Sequence, residues 1–277
     1  MKLERPVWPE GKKCAVSITV NLNGELFWLQ LDPTCVNMPK TLSLGQYGMN
    51  RGLDRIIDIL DNRNIKATFF TPGWIAENYT EKVKNVINHG HEIGALGYKH
   101  ENMALLNTQE QKTAIKRGID AIKINCGVVP TGFRSPEGEL TLDTLRSAKE
   151  LGLNYSSNLC DDDRPYKKNL GNDMEIIEIP IHWVNYDLPY FAFNYHPAFP
   201  AGQGRIANYT GVLSNWEDEF DGCREYGLCY VLQLDPAAIG APGRIGMLED
   251  LLDHIQQYDD VWFATGNEIC NYCNETL

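Results

Sequence analysis

An α/β fold, a distorted (β/α) barrel of about seven strands built as one domain over residues 1–277, is what the sequence predicts, on three observations. Short apolar runs alternate with helix-periodic segments from end to end. The chain is 277 residues long, 43% hydrophobic and 22% charged, enough for one core, and α/β barrels of this length commonly form a single unit. No internal repeat, linker or low-complexity stretch divides it. Barrels carry their sites on the loops after strand C-termini, so chemistry is to be sought there.

The elements follow in order. Cys14-Ala15-Val16-Ser17-Ile18-Thr19-Val20 reads as a buried strand. After a long polar loop, Leu53, Ile56, Ile57 and Leu60 recur at helical spacing, and Lys66-Ala67-Thr68-Phe69-Phe70 is the next strand. A helix near Ile75 to Asn88, a strand at Glu92 to Gly94, a helix from about Thr108 to Ile124 and a strand near Thr131 to Phe133 continue the alternation. Thr141 is a suitable N-cap for a helix reaching Leu151. Glu175 to Ile179 is a strand, followed by a Pro-, Tyr- and Phe-rich loop from His182 to about Tyr209. Ser214 is expected to cap a helix through Trp216 and Phe220. Cys229 to Leu234 is a strand, Ile245 to Tyr258 a helix, and Val261 to Thr265 the last strand.

Acidic residues outnumber basic ones 37 to 25, for a formal charge of −12, which argues against nucleic acid and anionic membrane as partners. The stretch Met1 to Pro6 lacks the apolar core of a signal peptide, and no segment approaches the roughly 18 apolar residues of a spanning helix. A cytoplasmic chain with reduced thiols is therefore expected. Of eight scattered cysteines, only Cys270 and Cys273 are closely spaced, and no second pair completes a four-ligand zinc site.

At the strand ends the sequence resembles the polysaccharide deacetylase family, the NodB-homology domain, in its peptidoglycan-deacetylase-like and allantoinase-like branch. The resemblance rests on Ala67 to Trp74, Gly90 to Asn102, Gly132-Phe133-Arg134-Ser135-Pro136, Asp162 to Tyr166, Ile179 to Trp183 and Val261 to Thr265, and covers nearly the whole chain in the family's order. It implies hydrolysis of an amide C–N bond, usually of an N-acetyl sugar, by a divalent metal held by one Asp and two His. A carboxylate then serves as base and a His as acid. It also implies substrate contacts at Trp74, Tyr98, Glu137 and Trp183, and homo-oligomers.

The chemistry-bearing positions depart from that pattern. Where the family has a base Asp and a ligand Asp two residues apart, this chain has Asn21 and Asn23, which keep the shape and lose the charge. The two ligand histidines spaced four apart fall on Leu96 and His100. The general-acid His falls on Asp235, within Leu232-Gln233-Leu234-Asp235-Pro236. Arg134, which orients the catalytic carboxylate in the family, persists, while the Asp of the segment Tyr155 to Asn158 is replaced. One imidazole beside an amide oxygen is a poor zinc site, so no zinc or other cofactor is expected. His89, His91, His182, His196, Glu25 and Glu137 show no ligand spacing with a second candidate, and a lone His is more often a hydrogen-bonded structural residue.

These departures predict a degenerate member that binds a small-molecule or sugar-like ligand, or assembles with other subunits, without metal-dependent deacetylation. The alternative is metal-independent opening of a small cyclic amide with His100 or Asp235 as the base, Asp235 pairing with Arg134 or His100 across the mouth. The aromatic loop residues Tyr186, Tyr190, Phe191, Phe193 and Tyr195 suit either a lid or a subunit contact.

Overall fold

The first strand, β1 (Cys14–Asn21), is buried at all eight positions, and the sheet is assembled around it. In the computed structural model, which describes residues 8–136, 139–202 and 206–277, it is followed by β2 (Thr68–Thr71), β3 (Glu92–Ala95), β4 (Gly132–Phe133), β5 (Tyr155–Ser156), β6 (Tyr166–Gly171) and β7 (Met174–Glu178). A small hairpin, β8 (Asn194–Tyr195) and β9 (Ala198–Phe199), precedes β10 (Cys229–Leu234) and β11 (Val261–Phe263). One nine-stranded sheet runs β10-β1-β2-β3-β4-β5-β7-β6, with β11 also pairing β1. Its neighbours are parallel except in the β6–β7 hairpin.

Among the described residues the ladder does not close. An isolated parallel bridge between Tyr186 and Gln233 and the Cys229 amide donating to the Asp163 carbonyl at 3.1 Å tie the strand β10 side to the far end. Side-chain alternation shows that the sheet curls. Ala15, Phe70, Leu96, Tyr155, Ile177, Ile179, Cys229 and Val231 meet in one cluster although their strands lie at opposite ends of the order. The intervening residues Val16, Ile18, Val20, Phe69, Ile93, Phe133 and Leu232 pack outward beneath the helices. A period of two thus sorts each strand into an interior set and a helix-facing set.

The helices are α1 (Leu26–Leu31), α2 (Pro39–Tyr47), α3 (Leu53–Asn62), α4 (Gly73–Asn78), α5 (Thr80–Asn88), α6 (Thr108–Cys126), α7 (Leu142–Glu150), α8 (Leu188–Phe191), α9 (Tyr209–Tyr226), α10 (Pro242–Gln256) and α11 (Gly266–Thr276). Thr141 caps α7 as its sequence position implies. Four expectations are corrected. The polar loop after β1 is helical: Pro33 and Pro39 begin helical turns instead of breaking them, and a π-helical turn, Gly48–Gly52, joins α2 to α3. The helix expected from Ile75 to Asn88 is broken at Tyr79 (φ −123°, ψ 36°). The cap of α9 is Asn208, not Ser214, which lies inside the helix. The last strand stops at Phe263 because Thr265 and Glu268 form a capping box that starts α11. The β6–β7 hairpin turns on Asn172 and Asp173, both left-handed (φ 54° and 57°), the backbone pattern of a tight hairpin turn.

Three glycines let the α2–α3 segment lie directly on the backbone of the site loops. A Cβ at Gly45 would fall 2.2 Å from the Gly24 carbonyl oxygen, at Gly48 2.6 Å from the Ala237 nitrogen, and at Gly52 1.9 Å from the Pro236 carbonyl oxygen. Among the described residues no helix is long and apolar enough to cross a membrane. Gly52→Ala should cost about 2–3 kcal/mol or more by overpacking against backbone that cannot yield. Gly222→Ala, where a Cβ meets nothing within 4 Å, should gain about 0.5–1 kcal/mol. Denaturant midpoints of the two variants check this, and equal effects would refute the contact.

Candidate functional site

Alternation carries the interior set of β1 upward from Ser17 through Thr19 to Asn21, and the loop continues it to Asn23. On β10, paired in register Thr19↔Gln233 and Val20↔Leu234, the same rule leads through Gln233 to Asp235. From β4, where Phe133 faces the helices, Arg134 points inward. Its Nη1 donates to Thr19 Oγ1 (2.8 Å) and Asn21 Oδ1 (3.1 Å). Its Nε donates to the Ser157 carbonyl (3.1 Å) and its Nη2 to Ser157 Oγ (2.8 Å). The guanidinium also lies 4.2 Å over the Phe70 ring. Thr19 Oγ1 passes its own hydrogen to the Leu232 carbonyl (2.8 Å). Nearby, Asn158 Oδ1 accepts the Ser135 amide (2.6 Å), fixing the chain just after Arg134.

Beside this network lies a row of amides. Asn23 Nδ2 donates to Asp235 Oδ2 (2.9 Å), and Asn23 Oδ1 faces His100 Nε2 at 2.9 Å. His100 Nδ1 lies 3.1 Å from the Gln30 side chain, and Phe27 of α1 stands edge-on to the imidazole. Asn23 and His100 have no exposed surface, and burial pushes the His100 pKa down to about 3. A neutral imidazole has one N–H. Because Asn23 spends its nitrogen on Asp235, its oxygen is what faces His100, and Nε2 is the nitrogen that donates there. Asp235 Oδ1 accepts the Ala237 amide (2.6 Å). The amides of Asp235 and Ile239 both donate to Asp187, a fully buried carboxyl whose pKa is pushed well up by burial and then by the Asp235 charge.

The positions to which the resemblance assigns metal ligands do not fit a divalent ion. His100 Nε2 already donates to an amide oxygen, Asn23 brings no charge, and Leu96 belongs to the interior cluster with Phe70 and Tyr155. Among the described residues no group of three or more His, Cys, Asp or Glu is arranged to hold a metal. His91 instead accepts the Ala67 amide at Nδ1, His89 meets Asp61, His182 meets Asp163, and Glu25 accepts the Tyr79 hydroxyl.

Asn21, Arg134, Gln233, Tyr186 and Trp183 line a cleft of about 240 Å³. Two sequence-derived contacts lie elsewhere. The Tyr98 hydroxyl donates to Glu77 (2.9 Å) and accepts from Arg117 (2.7 Å), whose guanidinium stacks 3.5 Å over the ring. Trp74 packs edge-on against Tyr79. Glu137 lies outside the described residues. Asp235 reaches His100 through Asn23. The aromatic loop divides: Tyr190 and Phe191 pack against Trp216, while Phe193 and Tyr195 meet edge to face. Thr19 was open to discovery by its two-residue spacing from Asn21, whereas nothing in the sequence singles out Gln30, Ser157 or Asp187.

The family model for polysaccharide deacetylases matches residues 45–156. A solved structure, a putative polysaccharide deacetylase from Mycobacterium smegmatis, is 31% identical with a TM-score of 0.93, over 99% of this chain and 95% of that one. This chain belongs to the polysaccharide deacetylase family. A peptidoglycan deacetylase from Helicobacter pylori is 25% identical over 84% of this chain and 87% of its own length. An allantoinase shares the deacetylase fold at 22% identity, with a TM-score of 0.83 over 99% of this chain and 95% of its own.

The site sets a pH signature for this deacetylase relative. The folded His100 refuses a proton that the unfolded chain accepts near the ordinary histidine value of 6.5. Its contribution to stability is therefore complete above that pH and declines as pH falls toward about 3, by up to about 1.4 kcal/mol per unit. His91, pushed down to about 4 by burial, acts in the same direction. Raised acids such as Glu92 and Glu178 act oppositely. Because the other groups are common to both proteins, comparison with His100→Asn isolates one imidazole, Asn being tolerant of the left-handed backbone there (φ 64°). The gap in unfolding free energy between wild type and variant should narrow from pH 6.5 to 4.5, and parallel profiles would refute the assignment.

Proposed function

We propose that this polysaccharide deacetylase family member binds a small ligand at the mouth of its sheet without metal-dependent amide hydrolysis. The observation that carries this reading is the single amide of Asn23, which gives its hydrogen to Asp235 and its oxygen to His100 in a space with no exposure. His100 Nε2, facing the Asn23 oxygen, is a committed donor and has no lone pair to offer an ion. Asn21, standing where the base would be, accepts from Arg134 and cannot take a proton from water near neutral pH. The cleft lined by Trp183, Tyr186 and Arg134 keeps the apolar and polar surfaces a sugar-like ligand needs.

Opening of a cyclic amide by Asp235 and His100 is the weaker reading, because His100 is sealed beneath Phe27 and held neutral. The −12 formal charge favours a small-molecule partner over nucleic acid or an anionic membrane.

Protein purified without chelator should hold well under one equivalent of zinc and release no acetate from N-acetylglucosamine oligomers. Stoichiometric zinc with chelator-sensitive release would overturn the proposal. Hydantoin turnover that survives chelation and is lost in Asp235→Asn would establish the cyclic-amide reading in its place. The triple variant Asn21→Asp, Asn23→Asp, Leu96→His restores two ligands and a base, and its zinc content should rise toward one equivalent.

A further inference from the structure

Trp183 and Tyr186 line the Arg134 cleft, and the same two rings also line a neighbouring groove of about 430 Å³. Their centroids are 6.4 Å apart, so one aromatic wall serves both spaces. The groove is apolar, walled by Phe27, Leu31, Leu105, Leu188, Pro189 and Phe199, and no charged side chain is among its described lining residues. Its polar side chains are engaged elsewhere. Gln30 lies 3.1 Å from His100 Nδ1, and Asn102 Oδ1 accepts the Ala104 amide at 3.2 Å.

Three large apolar side chains of this wall stay open to water: Leu31 is 43% exposed, Trp183 58% and Leu105 82%. Scattered singly they would need no explanation, but around one groove they make a continuous apolar patch beside a polar cleft.

The unmet demand in the cleft is of the opposite kind. Ser135 is on the cleft lining, and its Oγ is buried with no hydrogen-bond partner among the described residues. Its backbone is fixed by the amide bond to Asn158 Oδ1, so the hydroxyl is held ready to donate or accept. An anion is not called for there. The Arg134 charge is already met by Thr19, Asn21, Ser157 and the Phe70 ring, and the Glu139 carboxylate shares the lining.

We propose that the ligand is an amphipath. An uncharged head bearing hydroxyl or amide groups occupies the cleft against Ser135 Oγ, and an apolar arm crosses Trp183 into the groove. The proposal rests on the reading of this chain as a small-ligand binder and names the class of that ligand.

Calorimetric titration of the full chain with N-acetylglucosamine, its β-octyl glycoside below the micelle concentration, the chitin disaccharide and 1-hexanol tests it. The octyl glycoside should bind about tenfold or more tightly than the free sugar, the disaccharide or the alcohol, because only it fills both spaces. Leu105→Ser should reduce the ratio of octyl-glycoside to free-sugar affinity severalfold. Ser135→Ala should weaken both about fivefold and leave that ratio unchanged. Equal affinity for the free sugar and its octyl glycoside, or for hexanol and the glycoside, overturns the proposal even if both variants fail to fold. A dimer that Leu105→Ser dissociates would show a second copy seated in the groove and also overturns it. Zinc and acetate release measured on the same preparation separate this from failure of the functional reading. A zinc-loaded, acetate-releasing protein that prefers the octyl glycoside refutes only that reading, and a zinc-free protein without the preference refutes only the amphipath.

Discussion

A guanidinium buried across the mouth of a curled sheet is the constraint around which this site is arranged. Removing a full positive charge from water is expensive unless donors and ring face are all matched. Arg134 meets that demand with acceptors from β1 and from the chain after β5, and with the Phe70 ring beneath. Each partner sits where strand alternation places it, so the order of the sheet and the solvation of one charge are the same fact seen twice. Asn21 is oriented by this network, and its remaining amide hydrogens point to Tyr186 and the cleft.

The neighbouring row is stabilised differently. Asn23 joins a carboxylate to an imidazole without being charged itself, which suits a space closed to water. A carboxylate at position 23 would confront Asp235 at hydrogen-bond distance, with Asp187 behind it, and three acids in so small a volume would require either a cation or added protons. The amide and the acid at position 235 are therefore electrostatically compatible as a pair. Asp187 completes the arrangement by holding the Asp235 turn through three amide contacts.

Much of this was legible in the sequence. The strand of Cys14 to Val20 and the strand of Cys229 to Leu234 show as mostly apolar runs, broken only by Ser17, Thr19 and Gln233, because both faces are buried, and their ends led to Asn21, Asn23 and Asp235. The Thr141 cap was readable from local chemistry. What escaped depends on tertiary approach. The segment after β1 looks like a polar loop because its prolines and glycines are read as breakers, whereas Pro33 and Pro39 start turns and the glycines make room for other backbone. Tyr98 sits within a motif adjacent to the site, yet the chain turns at Gly97 (φ 64°) and His100 (φ 64°), so its ring faces Arg117 while His100 points inward. Gln30 is brought to His100 only because α1 folds over the mouth.

The three close-packed glycines divide the tolerance of this molecule unevenly. An amide can replace a carboxylate at positions 21 or 23 with almost no change in volume, so chemistry can be altered there while the backbone stays in place. At Gly45, Gly48 and Gly52 even a methyl group collides with main-chain atoms of the loops that carry Asn23 and Asp235. Reactivity is thus the replaceable part of this protein and loop placement the irreplaceable part, which makes the scaffold a ready host for re-engineered binding or catalysis so long as that glycine seam is left untouched.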